Sequence, residues 1–258
     1  MVKFLLKKVY KTITFALLIS FLLTNFNILG ETKNWGISFP NPGETPTPDE
    51  TVEYLKEFDS YFIGNTSEKS IYLTFDAGYE NGYTEPILDI LKKNQVPATF
   101  FLVGTYLKKH PDIINRMVNE GHIVGNHTMS HPDMTIHSSE ETFYKELSKV
   151  EEIYKSITGQ EMKKYYRPPY GKYNETNLKI AKNLGYKTIF WSLAYKDYDD
   201  KNQPSAEAAF SKLIPRIHNG SIILLHNTSK TNSLILDELI GKYRDMGFEF
   251  KSLDDLLN

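Results

Sequence analysis

An α/β fold built on a mostly parallel sheet is predicted by this sequence, and three observations predict it. From Ser70 onward, apolar runs of strand length alternate with stretches of helical periodicity. The alternation continues to residue 251 and implies about seven strands, with helices outside the sheet. The chain has 258 residues, 40% of them hydrophobic and 24% charged, enough to bury a full core in one catalytic domain. An open doubly wound sheet and a closed barrel both satisfy this pattern. Both gather function at the carboxyl ends of their strands.

The elements follow in order. Residues 1–30 read as a leader: Lys3, Lys7, Lys8 and Lys11 precede the apolar run 13–23, which is short for a membrane-spanning helix. No Ala-x-Ala site follows, so the segment is either a cleaved signal peptide or an uncleaved N-terminal membrane anchor; a buried N-terminal helix fits the basic-then-apolar order less well. Residues 31–69 carry Pro40, Pro42, Gly43, Pro46 and Pro48, a composition that resists regular structure and suits a linker or wrapping arm, with Trp35 and Phe39 as its anchors. The catalytic domain is expected over 70–258. It opens with a strand at 71–75, a helix at 84–94, a strand at 98–103 and a helix at 106–120. A strand at 122–125 leads to a long helix opened by the capping box Ser138-x-x-Glu141. A short strand near Tyr165 and a helix over 174–184, stopped by Gly185, come next. The remainder is a strand at 187–193, a helix at 205–218, a strand at 221–225, a helix at 232–245 ended by Gly247, and a strand at 248–251.

Composition excludes several functions. The chain has no cysteine, so disulfides, thiolate metal sites and a cysteine nucleophile are ruled out. Any metal must be held by nitrogen and oxygen. Net charge is −2 with both signs mixed along the chain, so there is no electrostatic footprint for nucleic acid.

Four reactive side chains fall at strand ends: Asp76 after 71–75, His127 after 122–125, Arg167 after Tyr165, and His226 after 221–225. Each alone reads as an ordinary turn, loop or surface residue. Their recurrence at equivalent positions points to one shared mouth. His127 and His131 are four apart, a spacing that can share a divalent ion if the segment turns. Pro132 disfavours helix at His131, so a single turn within a loop is expected. A zinc-protease helix needs Glu after the first histidine, and Thr128 stands there instead. Asp197, Asp199 and Asp200 lack the Gly and Glu that complete a calcium loop and read as a solvated acidic turn. Tyr79, Tyr83, Tyr170, Tyr195 and Tyr198 cluster near the reactive segments; sugar stacking is one use, although core packing is expected for most.

Together Thr74-Phe75-Asp76-Ala77-Gly78, His127-Thr128-Met129-Ser130-His131, Arg167-Pro168-Pro169-Tyr170-Gly171, Trp191 and Leu224-Leu225-His226 resemble, in the correct order, the motifs of the NodB-like polysaccharide deacetylases, carbohydrate esterase family four. Asn34-Trp35-Gly36, the stretch 79–84 and Phe190-Trp191-Ser192-Leu193-Ala194 are most similar to the spore-cortex muramate de-N-acetylases that prepare muramic δ-lactam. The resemblance implies a distorted (β/α) barrel and amide hydrolysis by a metal-bound water. It implies His127 and His131 as metal ligands, with zinc as the expected ion, Asp76 as base, His226 as acid and Arg167 as the partner of Asp76. It further implies that a backbone N–H near Tyr170 helps to stabilise the oxyanion, and that Trp191 and Leu224 shape the acetyl pocket.

One position departs from that pattern. Most of the family has a second aspartate as third metal ligand where this chain has Ala77; spore-cortex members also tend to lack it. The implied partner is peptidoglycan glycan strands, met by a monomer outside the cytoplasm, at the cell wall or membrane or in the forespore intermembrane space. The alternatives are deacetylation of N-acetylglucosamine in peptidoglycan, of chitin-like oligomers or of acetylated xylan, and a non-catalytic glycan-binding protein.

Overall fold

A computed structural model describes residues 30–256 except Ser138. The expected leader, Gly30 apart, and the Ser138 cap therefore lie outside the described residues. The arm is more regular than its prolines imply. It forms β1 (Lys33–Asn34), β2 (Ile37–Ser38), β3 (Thr47–Pro48), helix α1 (Val52–Lys56) and β4 (Ser60–Tyr61). The cause is apolar: Leu55, Phe58 and Phe62 are buried in one cluster with Trp35, Tyr173 and Phe190, and that burial overrides the local composition.

The rest of the chain alternates as expected. β5 (Ser70–Ala77), α2 (Thr84–Asn94), β6 (Ala98–Leu102), α3 (Gly104–Lys109), α4 (Pro111–Asn119) and β7 (Ile123–Asn126) come first. Helix α5 (Glu140–Thr158), β8 (Tyr165–Tyr166), β9 (Lys172–Tyr173), α6 (Glu175–Asn183), β10 (Lys187–Ile189) and β11 (Leu193–Ala194) follow. The chain ends with α7 (Ala206–Arg216), β12 (Ser221–His226), α8 (Lys230–Asp245), β13 (Glu249–Phe250) and α9 (Leu253–Leu256).

The main sheet has nine strands, ordered β11-β12-β5-β6-β7-β8-β10-β4, with β13 beside the start of β5. Every ladder within it is parallel. All of β5 is buried, as a central strand covered on both faces must be. The sheet curves until its ends approach: Ile63, just after β4, bridges Ser221 at the base of β12, and the Gly64 N–H donates to the Gly220 carbonyl at 2.8 Å. Among the described residues no ladder joins β4 to β11, so the barrel is distorted and open along that seam.

Several boundaries differ from expectation for identifiable reasons. The helix expected over 106–120 is two helices, because Pro111 holds His110 out of helical geometry (φ −131°, ψ 51°) and then starts α4 at its first position. The strand expected over 187–193 is divided between opposite edges of the sheet. Its middle crosses the seam, where the Phe190 N–H donates to the Tyr61 carbonyl and the Ser192 N–H to the Ile222 carbonyl. Ser139 caps α5 by accepting the Thr142 N–H. Ser229 caps α8 in the same way through Asn232, so that helix begins at Lys230.

One close approach positions the histidine segment. The N–H groups at the start of α3 hold the loop after β7: Gly104 donates to the Thr128 carbonyl at 2.9 Å and Thr105 to the Met129 carbonyl at 3.3 Å. A Cβ at Gly104 would lie 2.4 Å from the Met129 sulfur and 3.1 Å from its Cα. Gly104→Ala is therefore expected to lower stability by about 1–3 kcal/mol through overpacking. Gly241 lies inside α8, and a Cβ there would meet nothing within 4 Å. Gly241→Ala is expected to raise stability by about 0.5–1 kcal/mol. Urea unfolding of the two variants checks both signs.

Candidate active site

Register brings the reactive strand ends together. Asp76 is paired directly with His226 across the β5–β12 ladder, and Asn126 with Tyr166 across β7–β8, so His127 and Arg167 follow neighbouring strand ends. A cleft of about 680 Å³ opens there. Asp76, His127, His131 and His226 face it, Tyr170, Trp191 and Leu224 form its walls, and Arg167 lies fully buried beneath. The geometry thus unites the predicted site residues in one place.

Arg167 holds Asp76. Its Nη1 donates to Asp76 Oδ1 at 2.8 Å and to Thr74 Oγ1 at 2.9 Å, Nε to the Ile189 carbonyl at 2.9 Å, and Nη2 to the Phe190 carbonyl at 3.2 Å. Its guanidinium also lies over the Phe101 ring, 4.2 Å from the centroid. Burial pushes the Asp76 pKa up, but the Arg167 cation, helped by the imidazoles of His127 and His226, outweighs it and holds the carboxyl below its usual range. Asp76 is ionised at neutral pH.

The two imidazoles are held side by side in the cleft. His127 Nδ1 lies 2.8 Å from the Arg167 carbonyl, which can only accept, so Nδ1 carries the proton and Nε2 keeps its lone pair. That Nε2 lies 3.5 Å from Asp76 Oδ2. Burial lowers the His127 pKa and, with the repulsion that a second imidazolium at His127 would add, pushes that of His131 down to about 4, so both rings favour the neutral form. Their centroids are 4.7 Å apart. The expected loop turn is formed: Thr128 (φ 68°) and His131 (φ 59°) both adopt left-handed backbone, and Thr128 Oγ1 accepts the His131 N–H. A pair of neutral imidazoles beside an unprotonated carboxylate fits a divalent ion through nitrogen and oxygen. Among the described residues no group of three or more such side chains is arranged to hold one, in keeping with Ala77 at the third-ligand position.

Asp197 is the functional residue that sequence reasoning missed. Instead of standing in a solvated turn it is fully buried, accepting the His226 N–H at 2.8 Å, an Asn232 amide at 2.7 Å, and pairing with His226 Nδ1 at 2.7 Å. Burial disfavours the His226 cation, yet the Asp197 carboxylate wins and raises the pKa above its usual value. Asp197 follows β11 and His226 ends β12, and these strands are neighbours. Only the adjacency of the two strands, which periodicity does not report, could have revealed the pair.

Of the five tyrosines, most of them expected to pack in the core, three stand at the mouth, among them Tyr170, which the family resemblance already places at the site. Tyr79, Tyr170 and Tyr198 line the cleft and remain 50%, 64% and 56% exposed. Tyr79 Oη donates to Asp200 at 2.6 Å, tying the loop after β5 to the loop after β11. Glu80 fixes the first of these loops by accepting the Gly82 N–H at 2.7 Å and the Tyr106 hydroxyl at 2.8 Å.

Known proteins resemble this chain in sequence and fold. The family model for polysaccharide deacetylase matches residues 63–189. The chain belongs to this family, carbohydrate esterase family four, whose deacetylases are metal-dependent hydrolases. Among individual proteins it is 44% identical to the peptidoglycan-N-acetylmuramic acid deacetylase PdaA of Bacillus subtilis, over 88% of this chain and 86% of that protein. The solved structure of B. subtilis PdaA, a family 4 carbohydrate esterase, superposes with a TM-score of 0.84 at 43% identity, covering 88% of this chain and 97% of that one. A peptidoglycan-N-acetylglucosamine deacetylase of Bacillus cereus is 33% identical over 79% of this chain and 74% of its own length.

The Asp197–His226 pair has a direct test. Asp197→Asn removes the charge that raises the His226 pKa, so the imidazole is expected to titrate at lower pH than in the unaltered protein. Proton NMR of the ring checks this; an unchanged or higher value would show that Asp197 does not set it.

Proposed function

We propose that this chain hydrolyses the N-acetyl group of amino sugars in peptidoglycan, with N-acetylmuramic acid as its preferred residue during formation of spore-cortex muramic δ-lactam. The observation that carries the reading is the paired position of Asp76 and His226 on adjacent strands. One is held ionised by Arg167, the other held toward its cation by Asp197. A base and an acid with opposite protonation in one cleft are what amide hydrolysis requires.

In this mechanism His127 and His131 hold a divalent ion, zinc in our reading, which would make water a better nucleophile and polarise the acetyl carbonyl. Asp76 accepts the proton of the attacking water as the C–O bond forms. His226, with Nδ1–H directed to Asp197, delivers its Nε2 proton to the amide nitrogen as the C–N bond breaks, leaving acetate and a free amine. Tyr170 adopts left-handed backbone at φ 61°, and its N–H serves the oxyanion. Trp191 and Leu224 receive the acetyl methyl, and the exposed tyrosines offer faces to sugar rings. Residues 1–30 act as an export leader or tether, followed by the arm and a catalytic domain that works as a monomer outside the cytoplasm, including the forespore intermembrane space.

The muramic acid preference is supported by the high coverage of the B. subtilis relative in both directions. The B. cereus relative supports a second reading, in which N-acetylglucosamine is deacetylated. A non-catalytic glycan binder is disfavoured, because binding alone gives no use to two separately tuned proton-transfer groups.

Mass spectrometry of cortex-type peptidoglycan treated with the purified protein, with and without chelator, tests the proposal. Loss of one acetyl from muramic acid lacking its peptide, abolished by chelator, is expected; acetyl loss confined to glucosamine would overturn the preference. Ala77→Asp should supply the third ligand and tighten zinc or cobalt binding by at least about tenfold. Titration showing no gain would count against the His127–His131 site. With His226 as acid, activity should fall as pH rises through its raised pKa, and Asp197→Asn should move that fall to lower pH.

A further inference from the structure

The arm braces two walls of the cleft from outside the matched stretch 63–189. Trp35 is buried, and both of its donors are directed at walls of the active site. Its backbone N–H donates to the Gly171 carbonyl at 2.8 Å, and its indole Nε1–H to the Trp191 carbonyl at 2.9 Å. Gly171 follows Tyr170, and a Cβ there would fall 3.2 Å from Trp35 Cβ and 2.8 Å from the Trp191 ring. Three backbones and two indoles therefore meet without room for a methyl group.

The contact extends downward and sideways. The Trp35 ring stacks on Phe190 with centroids 4.5 Å apart and packs on Phe62 at 5.3 Å. The Phe190 carbonyl also accepts from Arg167, so the indole abuts the segment that orients the Asp76 partner. On the other side β1 pairs with β9, placing Lys33 opposite Tyr173 and Asn34 opposite Lys172. The 190–192 segment crosses the open seam of the barrel and lacks a continuous ladder on either side, so a donor from elsewhere must help hold it.

We propose that Trp35 is a positioning residue of the active site, its indole N–H fixing Trp191 and its backbone fixing the Tyr170–Gly171 turn, so that the N-terminal arm completes the glycan cleft. It touches no reacting atom and acts through the two walls.

Trp35→Phe separates positioning from packing, since it keeps an aromatic ring against Phe62 and Phe190 and loses only the indole donor. The chain has two tryptophans, so protein labelled with 5-fluorotryptophan gives two fluorine resonances, and this variant leaves that of Trp191 alone. The Trp191 resonance is expected to shift from its position in the unaltered protein. KM for acetylated glycan should rise by roughly 3–10-fold with kcat changed less than about twofold, the pattern of lost binding rather than lost chemistry. The melting temperature should stay close to that of the unaltered protein. An unmoved Trp191 resonance overturns the proposal, as does an unchanged KM. The resonance is read without turnover, so failure of the unaltered protein to deacetylate a given glycan counts against the functional reading and leaves this measurement standing.

Discussion

The buried ion pair between Arg167 and Asp76 is the constraint on which the rest of the structure depends. Arg167 is fully enclosed by the barrel, and a guanidinium cannot shed its charge there. Removing one partner from such a pair costs about 3–5 kcal/mol, because the other charge is left uncompensated in a poor dielectric. The chain answers with a carboxylate, a threonine hydroxyl and two backbone carbonyls. These acceptors come from β5 and from the end of β10, so satisfying one cation fixes the relative height of strands on opposite sides of the barrel. The Asp76 carboxylate is set in place by the same bonds that compensate the buried cation.

Much of this arrangement was legible in the sequence. Strand-length apolar runs located β5, β6, β7 and β12, and the first ionisable side chain past three of the expected strands gave Asp76, His127 and His226. Local periodicity is a strong signal when a strand is buried on both faces. What escaped was set by distant partners. Asp197 reads as solvated beside Asp199 and Asp200 until β11 is known to lie against β12. The arm reads as a linker because prolines are local and its apolar cluster is not. Tyr79 and Tyr198 at the mouth could not be told from core tyrosines, since an amphipathic ring serves either place.

The histidine segment shows how a site can be held without a helix. Thr128 and His131 adopt backbone that non-glycine residues avoid, while the first amides of α3 and the Thr128 hydroxyl hold the turn. The cost of the conformation is of order 1 kcal/mol at each residue and is offset by these fixed hydrogen bonds. The result is an imidazole pair whose orientation is settled by the fold itself.

The short loop after β11 carries three duties within a few positions. Asp197 sets the proton affinity of His226, Tyr198 presents its face at the mouth and lies 5.7 Å from the same imidazole, and Asp200 ties down Tyr79. A substitution that adapts this loop to a new sugar therefore also disturbs acidity. The opposite rim is coupled in the same way, because the exposed Tyr170 ring packs edge-on against the His131 imidazole with centroids 4.5 Å apart. Neither bank of the cleft can be reshaped for a new ligand without touching an imidazole.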